Sequence, residues 1–203
     1  MKKFAIAAAL ALTAVVANAY TVPVNNASFE AQLVTDGNSV NVAGYTGWSW
    51  NNVGALYLQN PANSNTRQPL DGSNNYAVLW SGAAISQSFA TFVGASYTLT
   101  FDYDSVVNPA SLSITGQATQ VLTNPGGAVL APKSVVFVAT SANTTISFLA
   151  GLNAGGQVGK LFLDDVALTT AVPEPETTAM FMAGLFAIGA MARRRRIQGK
   201  AEA

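Results

Sequence analysis

Tyr97-Thr98-Leu99-Thr100-Phe101-Asp102-Tyr103-Asp104 alternates without a break. Tyr97, Leu99, Phe101 and Tyr103 point one way; Thr98, Thr100, Asp102 and Asp104 point the other. That is the period of a half-buried β-strand. Working outward, further short β-rich runs lie at 76–80, 85–92, 111–115, 134–140, 144–149 and 161–169. Turn signals separate them: Asp71-Gly72, Ser81-Gly82, Val93-Gly94, Asn108-Pro109, Asn124-Pro125-Gly126-Gly127 and Gly155-Gly156. Many short, closely spaced strands with no amphipathic helical stretch predict an all-β domain, a jelly-roll β-sandwich. Asn60–Pro69 has no hydrophobic pattern and is expected to be an exposed loop.

Both ends of the chain carry a different pattern. Lys2 and Lys3 precede the apolar run Phe4–Val16, and Ala17-Asn18-Ala19 has the small-x-small form of a cleavage site. Residues 1–19 therefore read as a signal peptide cut by signal peptidase, with Tyr20 as the mature start. At the other end, a short extended linker, 171–176, contains Pro173-Glu174-Pro175. An uncharged apolar run follows at 177–192, then Arg193-Arg194-Arg195-Arg196. A membrane-spanning helix needs about 17–25 apolar residues, so 177–192 reads as a transmembrane helix at the short limit. The arginines keep the tail, 193–203, on the cytoplasmic side, so everything before Pro173 faces outward.

This order resembles a PEP-CTERM sorting signal, the tail that an exosortase recognises in Gram-negative bacteria. The resemblance implies a temporary anchor in the inner membrane. It also implies removal of the tail near Pro173–Pro175 and delivery to the cell surface or extracellular matrix.

Between the two ends, residues 20–170 form one domain's worth of chain. Up to Val172 the bases are Arg67, Lys133 and Lys160; the acids are Glu30, Asp36, Asp71, Asp102, Asp104, Asp164 and Asp165. Three bases against seven acids leave this body at −4. Scattered bases on an acidic body argue against a nucleic-acid partner, which calls for clustered Lys and Arg. There is no cysteine and no histidine. Disulfides, zinc sites of the usual type, haem and Ser-His or Cys-His nucleophiles are thereby excluded. What remains for catalysis is carboxylates, hydroxyls and three bases, and the chain reads as a non-enzyme.

The body has a second resemblance. It rests on Asn26-Ala27-Ser28-Phe29-Glu30, Gly47-Trp48, Asp71-Gly72-Ser73-Asn74-Asn75-Tyr76, Ile85-Ser86-Gln87-Ser88-Phe89, Gly94–Tyr103 and Leu163-Asp164-Asp165-Val166, in that order. The set resembles the galactose-binding-like jelly rolls, which include several carbohydrate-binding modules. Such modules often hold one structural calcium between an early Glu, a loop carbonyl and a late Asp. By that resemblance Glu30, Asp164 or Asp165, and the loop from Asp71 to Asn75 would hold Ca2+. A hard cation wants several oxygens at about 2.3–2.6 Å. From the residues alone, Glu30 is placed at the end of the first strand. The competing reading is that it caps a turn and that the two aspartates are solvated strand ends.

Aromatics supply the other constellation. Trp48 reads as core, and Tyr76, Val78 and Trp80 share a strand face that also suggests core. Trp50 and Tyr57 are expected to be the exposed pair, with Asn51 and Asn52 beside Trp50 to bond sugar hydroxyls. Asp102 and Asp104 share a strand face at a spacing of about 6–7 Å, within the range of glycosidase carboxylates. Their alternation with threonines reads as a solvated face, which offers no raised acid pKa. The resulting expectation is an exported protein that binds or organises exopolysaccharide; the alternative is a purely structural or adhesive surface protein.

Overall fold

The computed structural model describes residues 18–32, 34–35, 39–60, 69, 75–127, 129–172, 184–185 and 188–189. Ala17, Asp71, Pro173-Glu174-Pro175, Arg193–Arg196 and nearly all of 177–192 lie outside the described residues. So do residues 1–17 of the expected signal peptide and most of the linker at 171–176. Among the described residues no helix is long and apolar enough to cross a membrane. Tyr20–Thr170 is one compact unit.

The body is all-β. Its strands are β1 (Asn18–Val22), β2 (Ser39–Val42), β3 (Ser49–Trp50), β4 (Ala55–Gln59), β5 (Tyr76–Trp80) and β6 (Ala84–Ala90), followed by β7 (Ser96–Val106), β8 (Ala110–Ile114), β9 (Gln120–Leu122), β10 (Ala131–Val138), β11 (Asn143–Leu149) and β12 (Lys160–Val172). They form two sheets. Sheet A runs β10-β7-β12-β5-β4-β2, with β1 also paired to β12; sheet B runs β3-β6-β11-β8-β9. From β5 to β8, and again from β10 to β12, successive strands alternate between the sheets, which is the crossing pattern of a jelly roll. The expected fold class is therefore the one found.

The alternating stretch at 97–104 is the middle of β7. Its inward residues Leu99, Phe101 and Tyr103 join Leu56, Leu79, Leu161 and Leu163 of sheet A against Ile85, Phe89, Leu112, Ile146 and Phe148 of sheet B. Phe101 and Phe148 meet edge to face across the sheets, with centroids 5.0 Å apart. Such pairs add to the burial of apolar area, which drives the assembly. Trp48 is 7% exposed, as expected of a core residue. It stacks on Phe29 at 5.8 Å.

Two polar side chains tie the loops to this core. Gln87 is buried in sheet B. Its Oε1 accepts from the Asn25 N–H, and its Nε2 donates to the carbonyls of Asn25 and Gly47. Tyr45, also buried, reaches the sheet A pair Tyr57 and Val78 from the core side. Its hydroxyl is 2.8 Å from the Tyr57 carbonyl oxygen and accepts from the Val78 N–H at 3.1 Å. Burial drives the Tyr45 pKa far above the usual phenol range, against the smaller effect of these backbone bonds.

Several expectations need correction. Asn60 and Pro69, the ends of the expected exposed loop, are both buried, and residues 61–68 between them lie outside the described residues. Asn60 donates from Nδ2 to the Val34 carbonyl. Glu30 does not end the first strand: β1 stops at Val22, and Glu30 lies in a run of turns at 25–31. Asp102 and Asp104 are not solvated; they are 8% and 1% exposed. The outer face of sheet A, where they sit, carries a cluster of its own.

Candidate functional site

That outer face can be read row by row from the strand pairings. One row runs Ala55, Trp80, Lys160, Val106. The next runs Asn41, Tyr57, Val78, Phe162, Asp104. In the third, Ser39 faces Gln59 and Gln59 faces Tyr76. Apolar residues on both faces of β5 explain why Tyr76–Trp80 is a continuous apolar run: the odd positions Ala77 and Leu79 enter the main core, while Tyr76, Val78 and Trp80 face out.

Tyr76, Val78, Phe162 and Leu130 form a buried cluster on this face, with Tyr57, Trp80 and Val106 half-buried at its margin. Leu130 comes from the connection between β9 and β10 and is 1% exposed. At the open margin, the rings of Tyr57 and Trp80 lie 4.8 Å apart at an interplanar angle of 34°. The Lys160 ammonium lies 4.5 Å from the centroid of the Trp80 ring. Asn41 is exposed directly opposite Tyr57, and Gln59 is half-buried two residues along β4. Two ring faces, two amides and one ammonium thus share one patch.

The expected aromatic pair is not brought together. Trp50 is on β3 of sheet B, paired with Ile85, and packs half-buried against the main core. Its Nε1 donates to the Val53 carbonyl. Asn51 staples the following turn: Oδ1 accepts from the Val53 and Ala84 N–H groups and Nδ2 donates to the Gly82 carbonyl. Asn52 takes a left-handed backbone at φ 56°, a conformation asparagine tolerates in turns. Trp50 and Asn51 are therefore structural, and Tyr57 finds its ring partner in Trp80. The sequence does not show which sheet each ring belongs to.

Of the carboxylates expected to hold an ion, Glu30 is bonded to Asn75, and Asp164 and Asp165 lie at a bulge in β12. Glu30 accepts from the backbone N–H of Asn75 at 2.6 Å and from its Nδ2 at 3.1 Å. Nδ2 also donates to the Gln32 carbonyl. Asn75 immediately precedes β5, and β5 pairs with β12 up to Ala77 and Leu163, one residue before Asp164. At that point β12 has a bulge: Asp164 faces Asp102 and Ala167 faces Thr100, which leaves Asp165 and Val166 opposite one residue. The Val166 N–H donates to the Ala27 carbonyl, so the bulge also holds the turn run that contains Glu30. Asp165 is left-handed at φ 48°, and Asp164 Oδ1 accepts its N–H.

Glu30 uses two lone pairs of about four on Asn75. Gln32 Oε1 is buried with no partner among the described residues. No group of three or more His, Cys, Asp or Glu gathers among the described residues. Asp71, the remaining expected ligand, lies outside them.

A separate open depression of about 480 Å³ lies where β7, β10 and the β12 bulge meet. Asp102, Lys133 and Asp165 are on its walls, and its one ring, Phe101, is buried. It mixes charges of both signs and offers no open ring face.

Comparison with known proteins adds one assignment. The PEP-CTERM protein-sorting motif matches residues 171–196, so the sorting signal read from the tail is present. The motif implies export through a membrane-anchored intermediate. No curated protein matches the chain. Among solved structures, the chain is similar to the enzymatically active domain of bacteriophage CBA120 tailspike protein 4. Identity is 14% and the TM-score 0.47, over 62% of this chain and 19% of that one. It is also similar to a family 35 carbohydrate binding module from Clostridium thermocellum at 14% identity and TM-score 0.43, over 66% of this chain and 99% of that one. A CBM4 structure is similar at 15% identity and TM-score 0.41, over 73% of this chain and 99% of that one. Likeness at this level does not say what this chain binds.

Proposed function

We propose that this chain is an exported, non-catalytic protein of the cell surface or extracellular matrix that binds exopolysaccharide on the outer face of sheet A. The observation that carries the reading is the half-buried pair Tyr57 and Trp80 at 4.8 Å, flanked by Asn41 and Gln59. Flat ring faces suit the apolar face of a sugar, and a few fixed amides orient its hydroxyls. The sorting motif at 171–196 supports the location. Signal peptidase acting at Ala17 and Ala19, and an exosortase acting near Pro173–Pro175, would be the processing partners.

Calcium belongs to the same proposal as a structural ion. Glu30 with Asp164 or Asp165, Gln32 Oε1 and the Asp71–Asn75 loop would hold it, closing the turn run onto the ends of β5 and β12. It would supply stability and no chemistry.

Retention of the protein in polysaccharide-containing gels tests the binding site. Trp80→Ala and Tyr57→Ala are expected to lose retention; both also remove half-buried packing and lower the melt, so retention is compared at a temperature where each variant is folded. Trp50→Ala, which removes packing against the main core, is expected to lower the melt and leave retention unchanged. Retention that survives both sheet A substitutions refutes the site. A protein that no polysaccharide retains is better described as a structural or adhesive surface protein.

A further inference from the structure

Resting on that reading of sheet A, we propose that the polymer bound there is acidic, a polyuronate or similar carboxylate-bearing chain, and that Lys160 is the residue that selects it. Lys160 is half-buried. Its cross-strand neighbours, Trp80 and Val106, are both uncharged. Its ammonium is held over the Trp80 ring at 4.5 Å. In a body with seven acids and three bases, a base set between uncharged cross-strand neighbours and against an open ring is placed to receive an anion.

The surroundings favour this sign. Asp104, one row away across β7, is 1% exposed and accepts the Ser105 N–H through Oδ1. The accessible part of the patch therefore shows the cation and the rings, with the acid beneath. A sugar ring stacked on Tyr57 and Trp80 would bring its equatorial substituents toward Nζ. A carboxylate meeting a partly desolvated ammonium gains more than it would in open water. The rest of the body is acidic and repels a polyanion, so acid preference would depend on this one point and not on general charge.

Polygalacturonate and its methyl ester provide a matched pair of probes, with the same backbone and the charge removed. The full chain, solubilised, is run through gels containing each. Wild type is expected to be held more tightly by the acid form. Lys160→Gln is expected to weaken binding to the acid form about fivefold and to leave binding to the ester unchanged. Lys160→Arg should keep the acid preference. Trp80→Ala should lower retention by both forms. The tail arginines attract the acid form in every variant, so the acid preference that counts is the difference between Lys160→Gln and wild type, in which they cancel. Equal retention of wild type by both forms, or a Lys160→Gln variant with its acid preference intact, overturns the inference while leaving the ring platform standing. Retention by neither of these polymers nor by a neutral glucan removes the platform reading itself.

Discussion

Replacing Tyr45 by Phe deletes one oxygen from the seam beneath the ring platform. The hydroxyl accepts from the Val78 N–H at 3.1 Å and lies 2.8 Å from the Tyr57 carbonyl, so it bridges β4 and β5 at the pair that carries Tyr57. Tyr45 is 2% exposed. Water would not take the place of the missing oxygen without opening the core. Two hydrogen bonds are lost, to the Tyr57 carbonyl and from the Val78 N–H, at about 0.5–1.5 kcal/mol each, for a total of about 1–3 kcal/mol. For a domain of roughly 150 residues this is a fall in Tm of roughly 2–12 °C.

The same residue sets an alkaline limit. Its folded pKa lies above the unfolded value of about 10, because burial disfavours the phenolate. The unfolded chain therefore loses its proton first. The stabilisation is complete below pH about 10 and falls as pH rises above it. Thermal melts from pH 7 to 11 are expected to show wild type losing stability above pH 10, with Tyr45→Phe starting lower and falling less steeply. A variant within about 0.5 kcal/mol of wild type at pH 7, with the same alkaline slope, refutes the argument.

Three further outcomes are expected. Gly54→Ala should destabilise by more than about 2 kcal/mol, because Gly54 has φ +67° and an added Cβ would meet the Trp80 carbonyl oxygen at 2.1 Å; a melt within 1 kcal/mol of wild type would show that the turn relaxes. If calcium binds at Glu30, a cation at 100 times its dissociation constant adds about 2.7 kcal/mol. Chelation would then lower the Tm at constant ionic strength, and superimposable melts with calcium and with chelator remove the ion. Mass spectrometry of the exported protein should give Tyr20 as the first residue and no peptide containing Arg193–Arg196; an intact tail in the secreted fraction refutes processing near Pro173–Pro175.

The sheet class was legible because its strongest signals are local. The period of 97–104, the apolar run 76–80 and the glycine-bearing turns at 81–82, 93–94, 124–127 and 155–156 mark true strands and connections; Asp71-Gly72 lies outside the described residues. β1, β2, β3, β4 and β9 are not among the expected strands: β3 and β9 have only two and three residues, Ser39–Val42 is mostly exposed at a sheet edge, and Ala55–Gln59 alternates over only five residues. Alternation says that two faces differ, not which face meets the larger core. Asp102 and Asp104 do lie opposite Leu99 and Phe101, yet they are buried, because sheet A has a second apolar cluster on its outer side. Trp80 was assigned to core by the same reasoning. It does share a face with Tyr76 and Val78, but that face opens at its margin. The Tyr57–Trp80 pairing depends on the β4–β5 register, and nothing in the sequence outside a recognised β4 could give it.

Charge separates the two sheets in a way that bears on where recognition can occur. No Asp, Glu, Lys or Arg lies on β3, β6, β8, β9 or β11. The outer face of sheet B instead has a row of serines across four strands, Ser49, Ser86, Ser147 and Ser113, in consecutive register. Nearby hydroxyls satisfy one another, as Ser88 and Thr145 do at 2.8 Å. A face of short hydroxyls offers a ligand no charge from these strands and no long side chain to close on it. Sheet A carries the opposite chemistry, with Tyr57, Trp80 and Lys160 open and Asp102, Asp104 and Asp164 buried. Burying those carboxylates away from most water is costly unless each is bonded. Asp104 and Asp164 each accept the next residue's N–H, which ties their charge into the strand backbone. Around Tyr57 and Trp80 the accessible surface is thereby left to the two rings and the Lys160 ammonium, where a polymer that needs both stacking and charge finds them together.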